Sequence, residues 1–316
     1  MTRSLLLLAL VLPLLLPDGS AEGQGHSSPQ PASIELHAPL RTPEGVQPSR
    51  LARDGLARLF VLDRSETRLL RLEPDGSWRT FGLAEQGGER LARLGAIYGA
   101  RGSDLFALDG RDGTLYRFDL DGHWRAALTY GGDASSLGLV DPIDFALTKS
   151  GELVVLDRAG GRLLFFDRFG RFVTDLAAGA PDGPLLAPTR IALDAEDDLY
   201  VLDPPAHLVR RFSRQGAPLP AWSFDRGLAP NLGRGELLDL LPDRIVAVAA
   251  ADGSWLRLFD AEGSLLLESE LDSLAGTRAG DLLALDDTLL CLARPSLGEV
   301  ARLVLRYAQD ADSIGR

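Results

Sequence analysis

Four charged residues are placed where they could bind a polar ligand: Arg50, Asp144, Arg190 and Asp239. The first three each follow a proline by two residues, and each precedes the aspartate of a Leu-Asp pair by thirteen. This shared spacing predicts one tier of side chains in a repeated structure, with Asp239 or Glu236 as the counterpart further along the chain. Opposite charges in one tier can pair with each other, or they can bind a ligand in a concave site. The sequence leaves both interpretations open.

A repeat positions these residues. Four segments begin with an apolar run that ends in Leu-Asp and reach a glycine thirteen residues after the aspartate; they read FVLDRSETRLLRLEPDG, FALDGRDGTLYRFDLDG, VVLDRAGGRLLFFDRFG and YVLDPPAHLVRRFSRQG. A fifth copy ends at Gly263 without the aspartate, and a sixth is aligned on Asp286 and ends at Gly298. Each copy of about 45 residues contains four short strands separated by turns. We therefore predict an all-β fold, a six-bladed β-propeller of four-stranded antiparallel blades. Residues 33–37 are predicted to pair with the last blade.

The copies resemble the NHL-repeat family of six-bladed propellers. The third copy fits the pattern at Asp157, at the pair Arg162 and Leu163, at the aromatic Phe166 and at Gly170. The family's asparagine, three residues after the aspartate, is missing from every copy. The resemblance implies the propeller fold over about residues 45–307. It implies no single function, because this architecture carries enzymes, receptors and scaffolds.

Propellers similar to this family include lactonases that hold calcium and amidating lyases that hold zinc. Calcium needs six to eight oxygen ligands, and Asn231 is the single asparagine of the chain, so we expect no calcium site built on repeated asparagines. Catalytic zinc needs about three protein ligands at one point. His123 and His207 lie in turns of opposite propeller faces and cannot share a metal. We therefore predict no metal and no cofactor.

Two other residue types have structural interpretations. The Leu-Asp aspartates occur once per repeat at the same place, so we expect them to accept hydrogen bonds from the amides of their own loops rather than to catalyse. Cys291 lies in an apolar stretch, which indicates a packed thiol. No catalytic residue is therefore assigned.

The amino terminus of the chain predicts export. An apolar run over residues 5–16, followed by small residues, is typical of a signal peptide, and we assign residues 1–21 to it. We further assign 22–32 to a disordered leader, 33–308 to the propeller and 309–316 to a C-terminal tail. A net charge of −12 argues against nucleic acid and anionic membranes as partners. We expect a monomer, secreted or periplasmic, with no membrane span in the mature chain.

The scarcity of histidine and asparagine favours a binding or scaffold module over an enzyme. The expected partner is a protein, a peptide or a glycan, bound on the face that carries the loops after each Leu-Asp pair. The alternative is a metal-dependent hydrolase or lyase of the lactonase-like or amidating-lyase-like propeller type.

Overall fold

A computed structural model describes most of the chain. The described residues are 30–65, 68–82, 94–99, 104–110, 114–119, 121, 123–128, 139–176, 183–225, 235–271 and 273–308. Residues 1–29, with the predicted signal peptide, and 309–316, with the predicted tail, lie outside this set. None of the described residues belongs to a helix that is long and apolar enough to span a membrane.

The described chain forms six antiparallel sheets of four strands each, which confirms the predicted six-bladed propeller. From the innermost strand outward, blade one contains β2 (Pro48–Arg53), β3 (Leu59–Asp63), β4 (Arg68–Leu72) and β5 (Trp78–Gly82). Blade two contains β6 (Leu94–Gly99), β7 (Asp104–Asp109), β8 (Leu115–Asp119) and β9 (Trp124–Leu128). Blade three contains β10 (Pro142–Leu147), β11 (Leu153–Asp157), β12 (Arg162–Phe166) and β13 (Phe172–Leu176).

The other three blades keep the same order. Blade four contains β14 (Arg190–Leu193), β15 (Leu199–Asp203), β16 (Leu208–Phe212) and β17 (Pro218–Ser223). Blade five contains β18 (Gly235–Leu241), β19 (Ile245–Ala250), β20 (Trp255–Phe259) and β21 (Leu265–Glu270). Blade six contains β22 (Leu282–Ala284), β23 (Leu289–Arg294), β24 (Glu299–Tyr307) and β1 (Pro31–Arg41).

The core lies between the blades. Apolar side chains of each pair of neighbouring blades form a buried cluster, so that six clusters surround the axis. The second strands β3, β11 and β15 are buried at every position, because they are covered on both faces. This explains why their sequences are continuous apolar runs rather than alternating ones. The buried second strands and the apolar clusters between the blades hold the innermost strands around a central channel.

The ring is closed by the amino-terminal strand. β1 is hydrogen-bonded to β24 along its length, from Pro31 opposite Tyr307 to Arg41 opposite Glu299. The predicted pairing of residues 33–37 with the last blade is therefore present. The strand starts two residues earlier than the predicted propeller boundary, because Pro31 and Ala32, which we had assigned to the disordered leader, already belong to β1.

The buried aspartates of the Leu-Asp pairs accept hydrogen bonds from backbone amides, but the donors precede the innermost strand of the blade instead of lying in the aspartate's own loop as expected. Asp63 accepts the amide of Gln47 at 2.7 Å, and Asp157 accepts the amide of Asp141 at 2.8 Å. The Leu-Asp aspartate of blade four does the same for the amide of Ala187 at 3.1 Å. In these three blades, the carboxylate fixes a backbone segment about sixteen residues upstream. Their role is structural.

Blade six differs from the predicted alignment. Asp286 lies in the hairpin between β22 and β23 rather than at the Leu-Asp place. That place is occupied by Arg294, which pairs across the strands with Glu299 at 3.0 Å. In blade one the corresponding pair is Asp63 with Arg68. Blade six thus keeps the ion pair with the positive and the negative residue exchanged. Because the Leu-Asp aspartate is missing there, the sequence repeat was aligned on Asp286 instead.

Candidate active site

The structure places Arg50, Asp144 and Arg190 at one register position of three innermost strands. Each lies opposite a leucine of the second strand; the pairs are Arg50 with Leu62, Asp144 with Leu156, and Arg190 with Leu202. All three side chains line the same central channel. The sequence spacing therefore located this tier correctly in three blades.

The expected counterparts in blade five are wrong. Leu237 occupies the equivalent position there, because it lies opposite Ala249. Asp239 lies two residues further along β18, nearer to the turn that joins β18 and β19. The backbone of Glu236 accepts a hydrogen bond from Thr189 at 2.9 Å, and its carboxylate pairs with an exposed arginine instead of joining the tier.

Asp281 of blade six completes the tier and was missed by the sequence analysis. Its carbonyl accepts the amide of Ala293 at 2.9 Å, which gives it the register of Arg50 in blade one. Asp281 precedes Arg294 by thirteen residues, the same spacing that marks the other members. The signal was therefore present, but the exchange of aspartate for Arg294 concealed it.

An ion pair and several hydrogen bonds cross the channel at the level of this tier. Arg190 crosses from blade four to blade six, where its Nε lies 3.1 Å from Asp281. The carbonyl of Gly280 accepts from Arg190 Nη2 at 2.9 Å and from Arg50 Nη1 at 3.1 Å. Arg50 also donates through Nε to the carbonyl of Gly95 at 2.7 Å. The two arginines thus link four blades, and Arg190 pairs with Asp281 rather than with Asp144.

The channel carboxylates share a second role, because each accepts a backbone amide from the next blade around the ring. The bonds join Asp144 to Ile191 at 3.0 Å, Asp239 to Ala284 at 2.7 Å, and Asp281 to Leu51 at 2.9 Å. These contacts fix the carboxylates in place. They also satisfy amides of innermost strands that have no further strand beside them.

Two of these carboxylates are shifted toward the neutral form. Burial raises the pKa of Asp239 to about 6, against the lowering effects of the Ala284 amide and of the nearby charge of Arg53. Burial also raises the pKa of Asp144, against the attraction of Arg190. Both side chains keep partial exposure to the channel. A carboxyl group that titrates near 6 in a cavity is suited to accept and return a proton at neutral pH.

The channel contains a cavity of about 940 Å³. It runs from the tier past Asp239 and Arg53 to the hairpins that join the first and second strands of blades one, three and four. Exposed residues of those hairpins, such as Gly55 and Lys149, form its edge. None of the described lining residues lies in a loop that directly follows a Leu-Asp pair. The cavity therefore reaches the surface on the face opposite to the one we expected to bind a partner.

A divalent cation does not fit the described part of this channel. The tier carries the guanidinium groups of Arg50 and Arg190, and the carboxylate of Asp281 is paired with Arg190. The remaining carboxylates accept backbone amides, which compete with a metal for the same oxygens. Within the described residues, no group of three or more histidine, cysteine, aspartate or glutamate side chains could hold a metal ion together.

The other candidates from the sequence lie away from the channel. Cys291 is fully buried, and burial raises the pKa of its thiol to about 12, which agrees with a packed, unreactive side chain. His123 and His207 contact different aspartates, Asp119 at 3.3 Å and Asp225 at 2.5 Å, and both are exposed. His26 and Asn231 lie outside the described residues.

Comparison with known proteins places the chain among six-bladed propellers. The virginiamycin B lyase from Staphylococcus aureus matches with a TM-score of 0.59 at 10% identity, over 87% of this chain and 100% of the lyase. A putative gluconolactonase matches with a TM-score of 0.61 at 15% identity, over 88% and 94% of the two chains. The gluconolactonase XC5397 from Xanthomonas campestris matches with a TM-score of 0.60 at 16% identity, over 88% and 95%.

These similarities show the fold, and they correct one expectation. The three structures named above are described as a lyase and as gluconolactonases, so the preference for a binding or scaffold module over an enzyme is wrong. No family model matches the chain, and no curated protein matches it. The finer resemblance to the NHL-repeat family stays a prediction, whereas the six-bladed propeller with lyase and lactonase neighbours is established.

Proposed function

We propose that the protein is a hydrolase of small cyclic esters, a lactonase-like enzyme whose reaction takes place in the central channel. One observation carries the proposal: Asp239, with its pKa raised to about 6, faces a cavity of about 940 Å³. That volume lies near the upper end of the range for ligand sites, so a polar ring of one or two units can enter. The lactonase descriptions of two matching propellers add support.

Asp239 acts as the proton-transfer group. In its charged form it accepts a proton from a water molecule, whose oxygen forms the new bond to the ester carbonyl carbon. The ring C–O bond then breaks, and the neutral carboxyl group returns the proton to the leaving oxygen. Arg53, whose charge already affects Asp239, supplies positive charge for the oxygen that becomes negative during the attack.

Hydrolysis by a carboxylate fits these residues better than the chemistry of the lyase. A variant of the virginiamycin B lyase in which a histidine is replaced by alanine is described as catalytically inactive. No histidine is found among the described residues that line the cavity of this chain. Proton transfer here depends on a carboxylate, and Asp239 is the one whose pKa is suited to it.

The test is hydrolysis of a panel of five- and six-membered sugar lactones, followed by acid release at constant pH. We expect Asp239→Asn to lower the rate by about a hundredfold or more, the usual loss for a general base. Asparagine keeps an oxygen for the amide of Ala284, so the fold is preserved. Asp287→Asn, at an exposed turn, is the matched control and keeps the full rate.

Two results would refute the proposal. One is a wild-type protein that hydrolyses none of the lactones above the spontaneous rate. The other is an Asp239→Asn protein that retains full activity while its circular dichroism is unchanged.

The rate of the wild type should rise with pH through about 6 and then level off, because the charged form of Asp239 is the active one.

Export belongs to the same proposal. The apolar run over residues 5–16 supports a signal peptide, and we place the mature enzyme in the periplasm or outside the cell. Sequencing the amino terminus of protein recovered from each cell fraction tests this. A start near residue 22 in the exported fraction supports it, and an intact Met1 in the cytoplasm would contradict it.

A further inference from the structure

Three cations along the cavity have no carboxylate partner. Arg53, Lys149 and Arg168 all line it, and none of them forms an ion pair within the described part of the chain. Arg53 donates to the carbonyl of Leu285 at 3.0 Å, and Lys149 donates to the carbonyl of Ala195. The guanidinium of Arg168 lies over an exposed phenylalanine ring, 4.8 Å from its centre. Among the described residues, neither Lys149 nor Arg168 has a carboxylate at ion-pair distance, whereas the charge of Arg53 acts on Asp239 deeper in the cavity.

The fold brings the three cations to one face. Arg53 is the last residue of β2, and Lys149 lies in the hairpin between β10 and β11. Arg168 lies in the turn between β12 and β13, which is at the same end of an antiparallel blade. A Cβ added at Gly151 would lie 3.7 Å from Arg168, so the hairpin of Lys149 packs against that turn. Glycine at position 99 is required for the packing against Arg53, because a Cβ there would come within 1.8 Å of the Arg53 carbonyl oxygen.

The carboxylates around these cations are already engaged. Three of them are paired with arginines: Asp54 with Arg58 at 2.6 Å, Asp104 with Arg117 at 2.6 Å, and Asp194 with Arg244 at 2.9 Å. Asp197 is buried and accepts the backbone amide of Lys149 at 3.1 Å. Asp239 lies deeper in the cavity. Among the described residues of the cavity edge, Arg53, Lys149 and Arg168 are therefore left without an ion pair, in a protein whose net charge is −12.

We infer that this edge is a binding site for a small organic carboxylate, held by Arg53, Lys149 and Arg168. Cations at the edge of a cavity that no ion pair engages can attract an anion that the acidic surface of the molecule repels. Hydrolysis of a lactone produces a carboxylate, so, if the proposed function holds, the site receives the product on its way out of the channel. Guanidinium and ammonium groups bind carboxylates through charge-assisted hydrogen bonds.

Calorimetric titration at low ionic strength tests the inference, with D-gluconate as the probe. Sorbitol, which has the same carbon skeleton without the charge, is the neutral control, and inorganic phosphate is the competing anion. We expect gluconate to bind, sorbitol not to bind, and the double variant Lys149→Gln/Arg168→Gln to weaken gluconate binding by about tenfold or more. Arg79→Gln/Arg125→Gln removes two exposed cations from outer strands and should leave binding unchanged.

The outcomes separate this site from the proposed function. Gluconate binding that depends on Lys149 and Arg168, in a protein that hydrolyses no lactone, would support the site and refute the hydrolase. Equal binding by the wild type and the double variant, or no binding by either, would overturn the site whatever the enzyme does. Binding of phosphate without gluconate would overturn the assignment to a carboxylate.

Discussion

Replacing Asp239 by asparagine should make the protein more stable at neutral pH, although the residue is proposed to be catalytic. The pKa of Asp239 is about 6 in the folded protein and 3.8 when unperturbed. Below 3.8 the group is neutral in both states and costs nothing. Between pH 3.8 and about 6 the unfolded state releases its proton while the folded state keeps it, so stability falls as the pH rises and levels off above about 6.

The size of the effect follows from the two pKa values. At pH 8 the carboxylate lowers the free energy of unfolding by about 3 kcal/mol, since each pKa unit corresponds to about 1.4 kcal/mol. At pH 4.5 the same calculation leaves a deficit of about 1 kcal/mol. The Asp239→Asn variant removes this deficit because it carries no charge. Its advantage over the wild type should therefore grow from about 1 to about 3 kcal/mol between these pH values.

Urea unfolding at pH 4.5 and pH 8, with the wild type and the variant side by side, measures this difference. Effects of the other titrating groups, including Asp144 with its raised pKa, are common to both proteins and cancel. Asp287→Asn, which removes an exposed carboxylate, should show no such trend. An Asp239→Asn protein that is less stable than the wild type at pH 8 would refute the reasoning, because it would mean that the attraction of Arg53 outweighs the cost of burial.

Three further predictions concern the framework around the channel. Arg294→Met leaves the buried Glu299 with only the exposed Arg41, 3.8 Å away, and should lower the free energy of unfolding by about 3 kcal/mol, whereas the exchange Arg294→Asp/Glu299→Arg should restore more than half of it in urea unfolding. Cys291 should resist thiol reagents in the native protein up to pH 9 and react only after unfolding, as a colorimetric thiol assay would show. A chain that begins at Thr42 lacks β1 and exposes the edge of β24, so it should aggregate in size-exclusion chromatography where a chain that begins at Gln30 stays monomeric.

The repeat in the sequence determined the number of blades, the order of the strands and the tier of Arg50, Asp144 and Arg190. This was possible because the geometry of a blade is local. The alternation of strand and turn, and the count from a buried aspartate back to the innermost strand, depend on residues close together in the chain. The predicted closure by residues 33–37 belongs to the same class, since a sheet with an open edge needs a last strand.

Contacts between distant blades were decided only by the tertiary structure. Asp281 belongs to the tier, but the sequence analysis did not find it. Blade six exchanges the charges of the Arg294 and Glu299 pair, which keeps the ion pair but removes the aspartate from which the spacing is counted. Arg190 reaches Asp281 across the channel, a contact that depends on the diameter of the ring. The raised pKa of Asp239 depends on how many blades bury it, and no spacing in the chain reports that burial.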